Sequence, residues 1–143
     1  IDLVRDGHGR YCVLEDNLRT PSGVSYMLEG RNISERLMPE LFESRQILGV
    51  EQYPQLLKKT LQNSTTVDDP CIVVLTPGRF NSAYYEHAFL AREMNVPLVG
   101  GQDLFVDGTT VYLKSVTGKK RVDVIYRRVD DPFLDPLAFR PEC

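Results

Sequence analysis

Three features of the sequence predict an α/β protein. The run Cys71–Thr76 is short, apolar and rich in β-branched residues, as is typical of a strand buried on both faces of a parallel sheet. A stretch with helical spacing ends near Met94, and a second short apolar run at 97–99 completes a β-α-β unit. We therefore expect a three-layer, Rossmann-like domain at about 66–130, preceded by a β-hairpin and helices.

The first 17 residues predict that hairpin. Short strand-like runs lie on both sides of Asp6-Gly7, and Asp-Gly between two such runs is a strong turn signal. A loop with Pro21 and Gly23 follows. We expect the hairpin and its loop, residues 1–23, to form the first segment of the protein.

A helical segment is expected at 24–65. Apolar residues recur there at helical intervals up to about Ile47, and again over 51–62. Gly30 and Pro39 are expected to divide the first stretch into two or three helices.

The rest of the chain, 66–143, predicts further strands and turns around the β-α-β unit. The sequence favours Asp107-Gly108-Thr109 as one turn and Thr117–Lys120 as another. The last stretch, from Asp130, is rich in Pro and Asp and predicts a loop with at most one helical turn. Around these turns we expect strands at 103–106, 110–114 and 121–126.

The composition excludes several classes of protein. A chain of 143 residues, 42% of them hydrophobic, can bury its own core, and three cysteines are too few and odd in number for a disulfide scaffold. No apolar run approaches the roughly 20 residues of a membrane helix, and a net charge of −3 favours neither nucleic acid nor anionic lipid as a partner. The first residues lack a signal-peptide core, so we expect a cytoplasmic protein. Because Ile1 already has strand character, we expect these residues to belong to a longer chain.

Acidic residues on the hairpin suggest a metal site. If the turn is centred on Gly7-His8, Asp2 pairs with Val13, and alternation places Asp2, Glu15 and Asn17 on one face. Asp2 is then diagonal to Glu15, at about 7–8 Å, and a turn centred one residue earlier keeps the shared face but lengthens this distance. Two carboxylates and an amide oxygen suit Mg²⁺, which completes its shell with water and phosphates. The alternative is an ordinary solvated face, and a register slip of one residue would separate the three side chains.

Longer phrases of the sequence add a resemblance. Asp2, followed after twelve residues by Glu15-Asp16-Asn17, is similar to the Mg²⁺-binding arrangement of ATP-grasp ligases. Three further phrases resemble the circularly permuted ATP-grasp family related to glutathionylspermidine synthases: VLEDNLRTPSGVSYMLEGR, LTPGRFNSAYYEHAFLAREM and VDVIYRRVDDPFLDPLAFRP. The resemblance covers nearly the whole chain and implies a pre-ATP-grasp-like fold for the Rossmann-like part. It also implies Asp2, Glu15 and Asn17 as Mg²⁺ ligands, with Arg19 close enough to act on the phosphates during catalysis.

The same resemblance implies an activity for the whole protein. This activity is that of an ATP-dependent carboxylate–amine ligase, in which ATP phosphorylates a carboxylate and an amine attacks the acyl phosphate, with ATP and Mg²⁺ as cofactors. Its partners are then a small-molecule or peptide carboxylate and an amine. Family chains are several times longer and have a second lobe that this sequence does not supply, so we expect the segment alone to be inactive. The alternative is a non-catalytic α/β binding or scaffold domain that presents 77–82 and 127–131 to a partner.

The turn after the Cys71–Thr76 strand is a second candidate site. Arg79, Asn81 and Ser82 lie between a strand and a helix, where open α/β sheets bind ligands and where a helix N-terminus attracts anions. We expect these residues to contact the cofactor or the acceptor substrate. The alternative is an ordinary turn in which Asn81 or Ser82 caps the helix.

Other polar residues predict less specific roles. The run 127–131 mixes both signs and predicts either a surface ion-pair cluster or an anion contact. Neither His8 nor His87 has a partner at ligand spacing, so neither predicts a zinc ligand or a catalytic base. Cys12 and Cys71 are expected to be small, reduced strand residues.

Overall fold

The structure is a computed structural model that describes residues 1–17, 20–134 and 137. The chain divides into two compact units, one formed by Ser22–Val129 and a smaller one formed within Ile1–Pro21 and Asp130–Cys143. The helices expected at 24–65 and the strands that follow them therefore belong to the same unit. The division of the chain into segments 1–23, 24–65 and 66–143 remains a prediction. Within the described ranges, no helix has both the length and the apolar character needed to cross a bilayer.

The predicted hairpin is confirmed in the smaller unit. Strands β1 (Asp2–Arg5) and β2 (Tyr11–Glu15) are antiparallel. The backbone N–H of Asp6 donates to the carbonyl of Arg10 at 2.9 Å, which leaves a three-residue loop of Gly7, His8 and Gly9. Gly9 has a φ of +81°, the left-handed conformation that closes such a loop and that glycine adopts without a steric penalty.

Four α-helices lie in the larger unit: α1 (Val24–Leu37), α2 (Pro39–Ser44), α3 (Tyr53–Gln62) and α4 (Tyr84–Met94). The break expected at Pro39 is confirmed, because α2 begins at this residue. The break expected at Gly30 is wrong, since Gly30 lies inside α1. An interior glycine costs a helix only about 1 kcal/mol relative to alanine. The packing of the buried Leu28 against α4 offsets that cost.

Six strands complete the larger unit. They are β3 (Ile72–Leu75), β4 (Leu98–Val99), β5 (Leu104–Asp107), β6 (Thr110–Ser115), β7 (Gly118–Arg121) and β8 (Val124–Arg127). β3 is the centre of a parallel sheet in the order β4-β3-β8, and α4 connects β3 to β4, so the predicted β-α-β unit is confirmed. β5, β6 and β7 form a separate antiparallel meander. In the smaller unit, the helical turn expected after Asp130 is a single 3-10 turn at Asp131–Phe133.

The two faces of β3 pack against different layers, because successive strand residues point to opposite sides. On one face Val74 packs with residues of α1 and α4 in a buried cluster: Leu28, Phe89, Leu90, Ala91 and Met94. On the other face Val73 packs with Cys71, Val99 and Val122 and with meander residues Leu104, Val111 and Leu113. The α/β class is thus confirmed. In the described part of the chain, however, the meander covers the face where a Rossmann-like three-layer fold would place helices.

The single strand predicted at 121–126 and the turn predicted at 117–120 are wrong in detail. β7 occupies most of that turn, and Val122 and Asp123 separate it from β8. Asp123 causes the separation, because its carboxylate accepts the N–H of Cys71 at 2.9 Å and its own N–H donates to the carbonyl of Cys71. These contacts move the chain from the meander to the parallel sheet.

Candidate metal site

The hairpin register brings Asp2 directly opposite Glu15. The predicted pair of Asp2 with Val13 is wrong, because Val13 pairs with Leu3. The three-residue loop shifts the register by one residue relative to a turn on Gly7-His8. An irregularity between Asp2 and Leu3 then shifts it again, as an extra residue on one strand does in a β-bulge. With the first shift alone, Asp2 and Glu15 would lie on opposite faces of the hairpin. The second shift pairs them directly, so their carboxylates meet.

The three predicted metal ligands meet in the structure. The side-chain amide of Asn17 donates hydrogen bonds to Asp2 Oδ2 at 2.9 Å and to Glu15 Oε1 at 3.3 Å. Directly paired strand residues have Cβ atoms about 4.5–5.5 Å apart, closer than the diagonal relationship expected from the sequence. All three side chains are exposed. The ends of β1 and β2 therefore present two carboxylates joined by one amide.

This donor set fits a hard cation such as Mg²⁺. Carboxylate and amide oxygens are its preferred protein ligands, and a half-turn of the Asn17 amide would present its oxygen in place of its nitrogen. Within the described residues, no group of three or more His, Cys, Asp or Glu side chains is arranged to hold a metal. A cation held by Asp2, Glu15 and Asn17 would therefore take most of its remaining ligands from water and from phosphate groups, as Mg²⁺ in nucleotide sites does.

Asp6, the other acid near these strands, serves the turn instead. Its carboxylate accepts the N–H groups of His8 and Arg10 at 2.9 and 2.8 Å and the guanidinium of Arg10 at 2.9 Å. The backbone hydrogen bond from Arg10 is the largest cause that lowers the pKa of Asp6. In the sequence Asp6 signals only the turn, and these hydrogen bonds hold its carboxylate within that turn.

The predicted residues after β3 belong to the larger unit. Asn81 Oδ1 accepts the N–H of Ala83 at 2.9 Å. Ala83 is the N-cap of α4 and no side chain caps this helix, so the alternative in which Asn81 or Ser82 caps it is wrong. The guanidinium of Arg79 lies 5.0 Å above the ring of Phe80, whose side chain is 92% exposed. Ser82 is exposed. Arg19, predicted to act on phosphates, lies outside the described residues.

A buried polar pair at the carboxyl end of β3 was missed by sequence reasoning. His87 Nδ1 lies 2.8 Å from Thr76 Oγ1, which also accepts the N–H of Gly78. The Thr76 hydroxyl, with one O–H and two acceptor lone pairs, thus forms hydrogen bonds with both groups. Burial, reinforced by the nearby Arg128 guanidinium, lowers the pKa of His87 to about 4. Thr76 and His87 lie on different elements, so no local spacing signals their contact.

Glu86 is another buried polar side chain whose role the sequence did not reveal. Its carboxylate accepts the N–H groups of Val24 and Ser25 at 3.2 and 2.9 Å and also the Ser25 hydroxyl. Gly23 at the start of α1 provides no side-chain cap, so Glu86 satisfies the free N–H groups there. A negative charge at a helix N-terminus also interacts favourably with the helix dipole.

Comparison with known proteins places the chain in a family. The family described as a circularly permuted ATP-grasp matches residues 1–143. An uncharacterised protein of Mycobacterium tuberculosis is 52% identical over 144 residues, covering 99% of this chain and 26% of the relative. An uncharacterised Synechocystis protein is 50% identical over 143 residues, covering 99% of this chain and 30% of the relative. A Frankia alni protein named "Putative glutamate--cysteine ligase 2-3" is 46% identical over 134 residues, covering 92% of this chain and 16% of the relative.

The length of the match shows how the chain relates to these proteins. The chain spans less than a third of the length of each relative: 26% of the Mycobacterium tuberculosis protein and 30% of the Synechocystis protein. The family match nevertheless covers residues 1–143. The chain belongs to the circularly permuted ATP-grasp family.

Proposed function

We propose that the protein containing this chain is an ATP-dependent ligase that joins a carboxylate to an amine, and that Asp2, Glu15 and Asn17 hold the Mg²⁺ of its Mg-ATP. The observation that carries the proposal is the Asn17 amide lying between the two paired carboxylates, 2.9 and 3.3 Å from their oxygens. The Frankia relatives add support, because a glutamate–cysteine ligase by name joins two amino acids.

The proposed reaction has two steps. An oxygen of the substrate carboxylate attacks the γ-phosphorus of ATP, the bond to the bridging oxygen breaks, and an acyl phosphate and ADP result. The amine nitrogen then attacks the acyl carbon, the phosphate leaves with the bonding electron pair, and the nitrogen loses a proton. When bound, Mg²⁺ offsets the charge that develops on the phosphates.

The residues of this chain have separate proposed tasks. Asp2 and Glu15 supply negative charge to the metal site, and Asn17 keeps their carboxylates together. The neighbouring Arg19 is proposed to contact the phosphates, since a guanidinium forms paired hydrogen bonds with such oxygens. Residues Arg79, Asn81 and Ser82 follow a strand of a parallel sheet, and this edge is where open α/β sheets bind ligands. We propose that they contact the nucleotide or the carboxylate substrate.

Titration of the complete natural protein with Mg-ATP tests the metal assignment. We expect Glu15→Ala to weaken Mg-ATP binding by about tenfold or more, a loss of about 1.4 kcal/mol. Asp16→Asn is the matched control, because it removes an exposed charge from the adjacent residue. Equal affinity of Glu15→Ala and Asp16→Asn would contradict the assignment. ADP release with a panel of carboxylates and amines tests the reaction itself, and ADP release that never depends on an amine would overturn it.

A further inference from the structure

Two buried polar side chains connect the two ends of the loop 77–83. Thr76 directly follows β3, and His87 lies in α4, three residues after the helix begins at Tyr84. Both residues are buried, and Thr76 Oγ1 lies 2.8 Å from His87 Nδ1. Because the chain leaves β3 at Thr76 and enters α4 just before His87, this hydrogen bond fixes the start of the loop relative to its end.

The Thr76 hydroxyl also holds the first turn of the loop. Thr76 Oγ1 accepts the backbone N–H of Gly78 at 3.2 Å, and the carbonyl of Gly78 accepts the N–H of Asn81 at 3.1 Å. Gly78 has a φ of +106°, in the left-handed region that favours glycine. A Cβ atom there would meet nothing within 4 Å, so neighbouring atoms do not force this conformation. The conformation depends on backbone hydrogen bonds, one of which ends on the Thr76–His87 pair.

His87 is a polar residue on a mostly apolar helix face. Four of the other buried residues of α4 are apolar: Phe89, Leu90, Ala91 and Met94. A buried polar group costs free energy unless it is hydrogen-bonded, and Thr76 provides the partner. Burial and the Arg128 guanidinium lower the pKa of His87 to about 4, although the Glu86 carboxylate opposes this shift. His87 therefore serves Thr76 as a neutral hydrogen-bonding group at pH 7.

We infer that His87 is a positioning residue, which acts through Thr76 to hold the loop 77–83 in the shape that binds an oxyanion at Arg79. The inference rests on the proposed function, in which Arg79 contacts the nucleotide or the carboxylate substrate. A guanidinium binds phosphate and carboxylate oxygens alike, and Arg79 is exposed beside the exposed ring of Phe80. A loop that is already ordered loses less conformational entropy when the ligand binds.

Hydrogen exchange of the complete natural protein without ligand, followed by mass spectrometry, tests the positioning. Thr76→Val replaces the hydroxyl by a methyl group of similar size. We expect exchange in peptides that cover 77–83 to become faster by about fivefold or more. Thr76→Ser keeps the hydroxyl and is expected to retain slow exchange. His87→Phe keeps a buried ring without the hydrogen bond and is expected to behave like Thr76→Val.

Ser25→Ala is the matched control, because it also removes the hydrogen bond of a buried hydroxyl, which here donates to Glu86. We expect it to lower the unfolding temperature about as much as Thr76→Val does, but to leave exchange over 77–83 unchanged. Thermal unfolding followed by circular dichroism checks that each variant is folded. Unchanged exchange in Thr76→Val, or equal acceleration in Ser25→Ala, would overturn the inference.

Calorimetric titrations with Mg-ATP and with L-glutamate distinguish the two sources of the oxyanion. We choose L-glutamate as the carboxylate probe because of the name of the Frankia alni relative. Thr76→Val is expected to weaken binding of one probe by about tenfold. It is expected to have no further effect in an Arg79→Ala background, because the loop acts through Arg79.

Three results would contradict the role of the loop in binding. They are the absence of binding of both probes to the natural protein, unchanged affinity in Thr76→Val, and additive effects of Thr76→Val and Arg79→Ala. Failure of the proposed ligase activity would appear differently, as ADP release that never depends on an amine. Loop exchange and its dependence on Thr76 can be measured whichever of these results is obtained.

Discussion

The carboxylate of Glu86 accepts a hydrogen bond from the backbone N–H of Ser25 at 2.9 Å, across a separation of 61 residues. Both residues are buried, with exposed fractions of 1% and 0%. The N-terminus of α1 is therefore capped by a side chain of α4, and the two helices share the cluster that covers one face of β3. Formation of α1 in its observed position depends on a contact that only the folded chain makes.

This contact predicts a stability loss in Glu86→Ala. The substitution leaves the buried N–H of Ser25 without its acceptor, which costs about 1–3 kcal/mol, and also removes the acceptor of the part-buried N–H of Val24. We expect a lower midpoint in urea unfolding with an unchanged slope. Glu43→Gln, on the exposed part of α2, is the control and is expected to change stability by less than about 0.5 kcal/mol. A midpoint for Glu86→Ala equal to that of the control would contradict the capping role.

His87 predicts a pH dependence of the stability of the larger unit. Burial of His87 lowers its pKa from 6.5 to about 4, so the unfolded chain takes up a proton in a range where the folded chain does not. The stabilising contribution of neutral His87 is complete above pH 6.5 and is lost as the pH falls towards 4. Because one pKa unit corresponds to about 1.4 kcal/mol, we expect His87 to account for about 1–2 kcal/mol of stability lost between pH 7 and pH 5.

Urea unfolding at several pH values measures the contribution of His87 to the free energy of unfolding. His87→Gln is expected to be less stable at pH 7 and to lose less stability than the natural chain between pH 7 and pH 5. His8→Gln, in the exposed hairpin turn, is expected to keep the pH dependence of the natural chain. If His8→Gln flattens the pH profile and His87→Gln does not, the assignment of the shifted titration is wrong.

The hairpin loop predicts a contrast between two glycines. Gly9 has a φ of +81°, and a Cβ atom there would be 3.3 Å from Arg5 Nη2. Alanine in this left-handed conformation costs about 1–2 kcal/mol. Gly7→Ala is the matched control, since a Cβ atom at Gly7 meets nothing within 4 Å.

We expect Gly9→Ala to weaken the cross-strand contacts between Leu3 and Val13 in nuclear Overhauser spectra, whereas Gly7→Ala retains them. If the proposed metal site is correct, Gly9→Ala also weakens Mg-ATP binding, because the loop sets the register that brings Asp2 to Glu15. Unchanged cross-strand contacts in Gly9→Ala would show that the loop does not set the register.

Elements with a strong signal in the local sequence were predicted correctly. The Asp6-Gly7 turn indicated the hairpin, and the apolar run before Thr76 indicated a buried parallel strand. Pro39 marked a true helix boundary, since proline cannot occupy a helix interior without losing a hydrogen bond. Gly30 did not mark one, because packing compensated its weak helix propensity.

Register and layering depended on contacts between distant residues. The sequence predicted that Asp2, Glu15 and Asn17 share a face, and the structure brings them together in a different register, through a loop one residue longer and a strand irregularity. Asp123 ended β7 and started β8 by bonding to Cys71, a residue 52 positions away.

By itself, the sequence determined the α/β class, the main helices and the identity of the candidate metal-binding side chains, because each depends on residue type and short-range spacing. Only the tertiary structure decided the Asp2–Glu15 pairing, the meander that covers the second face of β3, the Thr76–His87 pair and the capping of α1 by Glu86. The Asp2–Glu15 pairing depends on the loop length and the strand irregularity of the exposed hairpin. The other three depend on hydrogen bonds or packing between segments that become neighbours only when burial of the shared core brings them together.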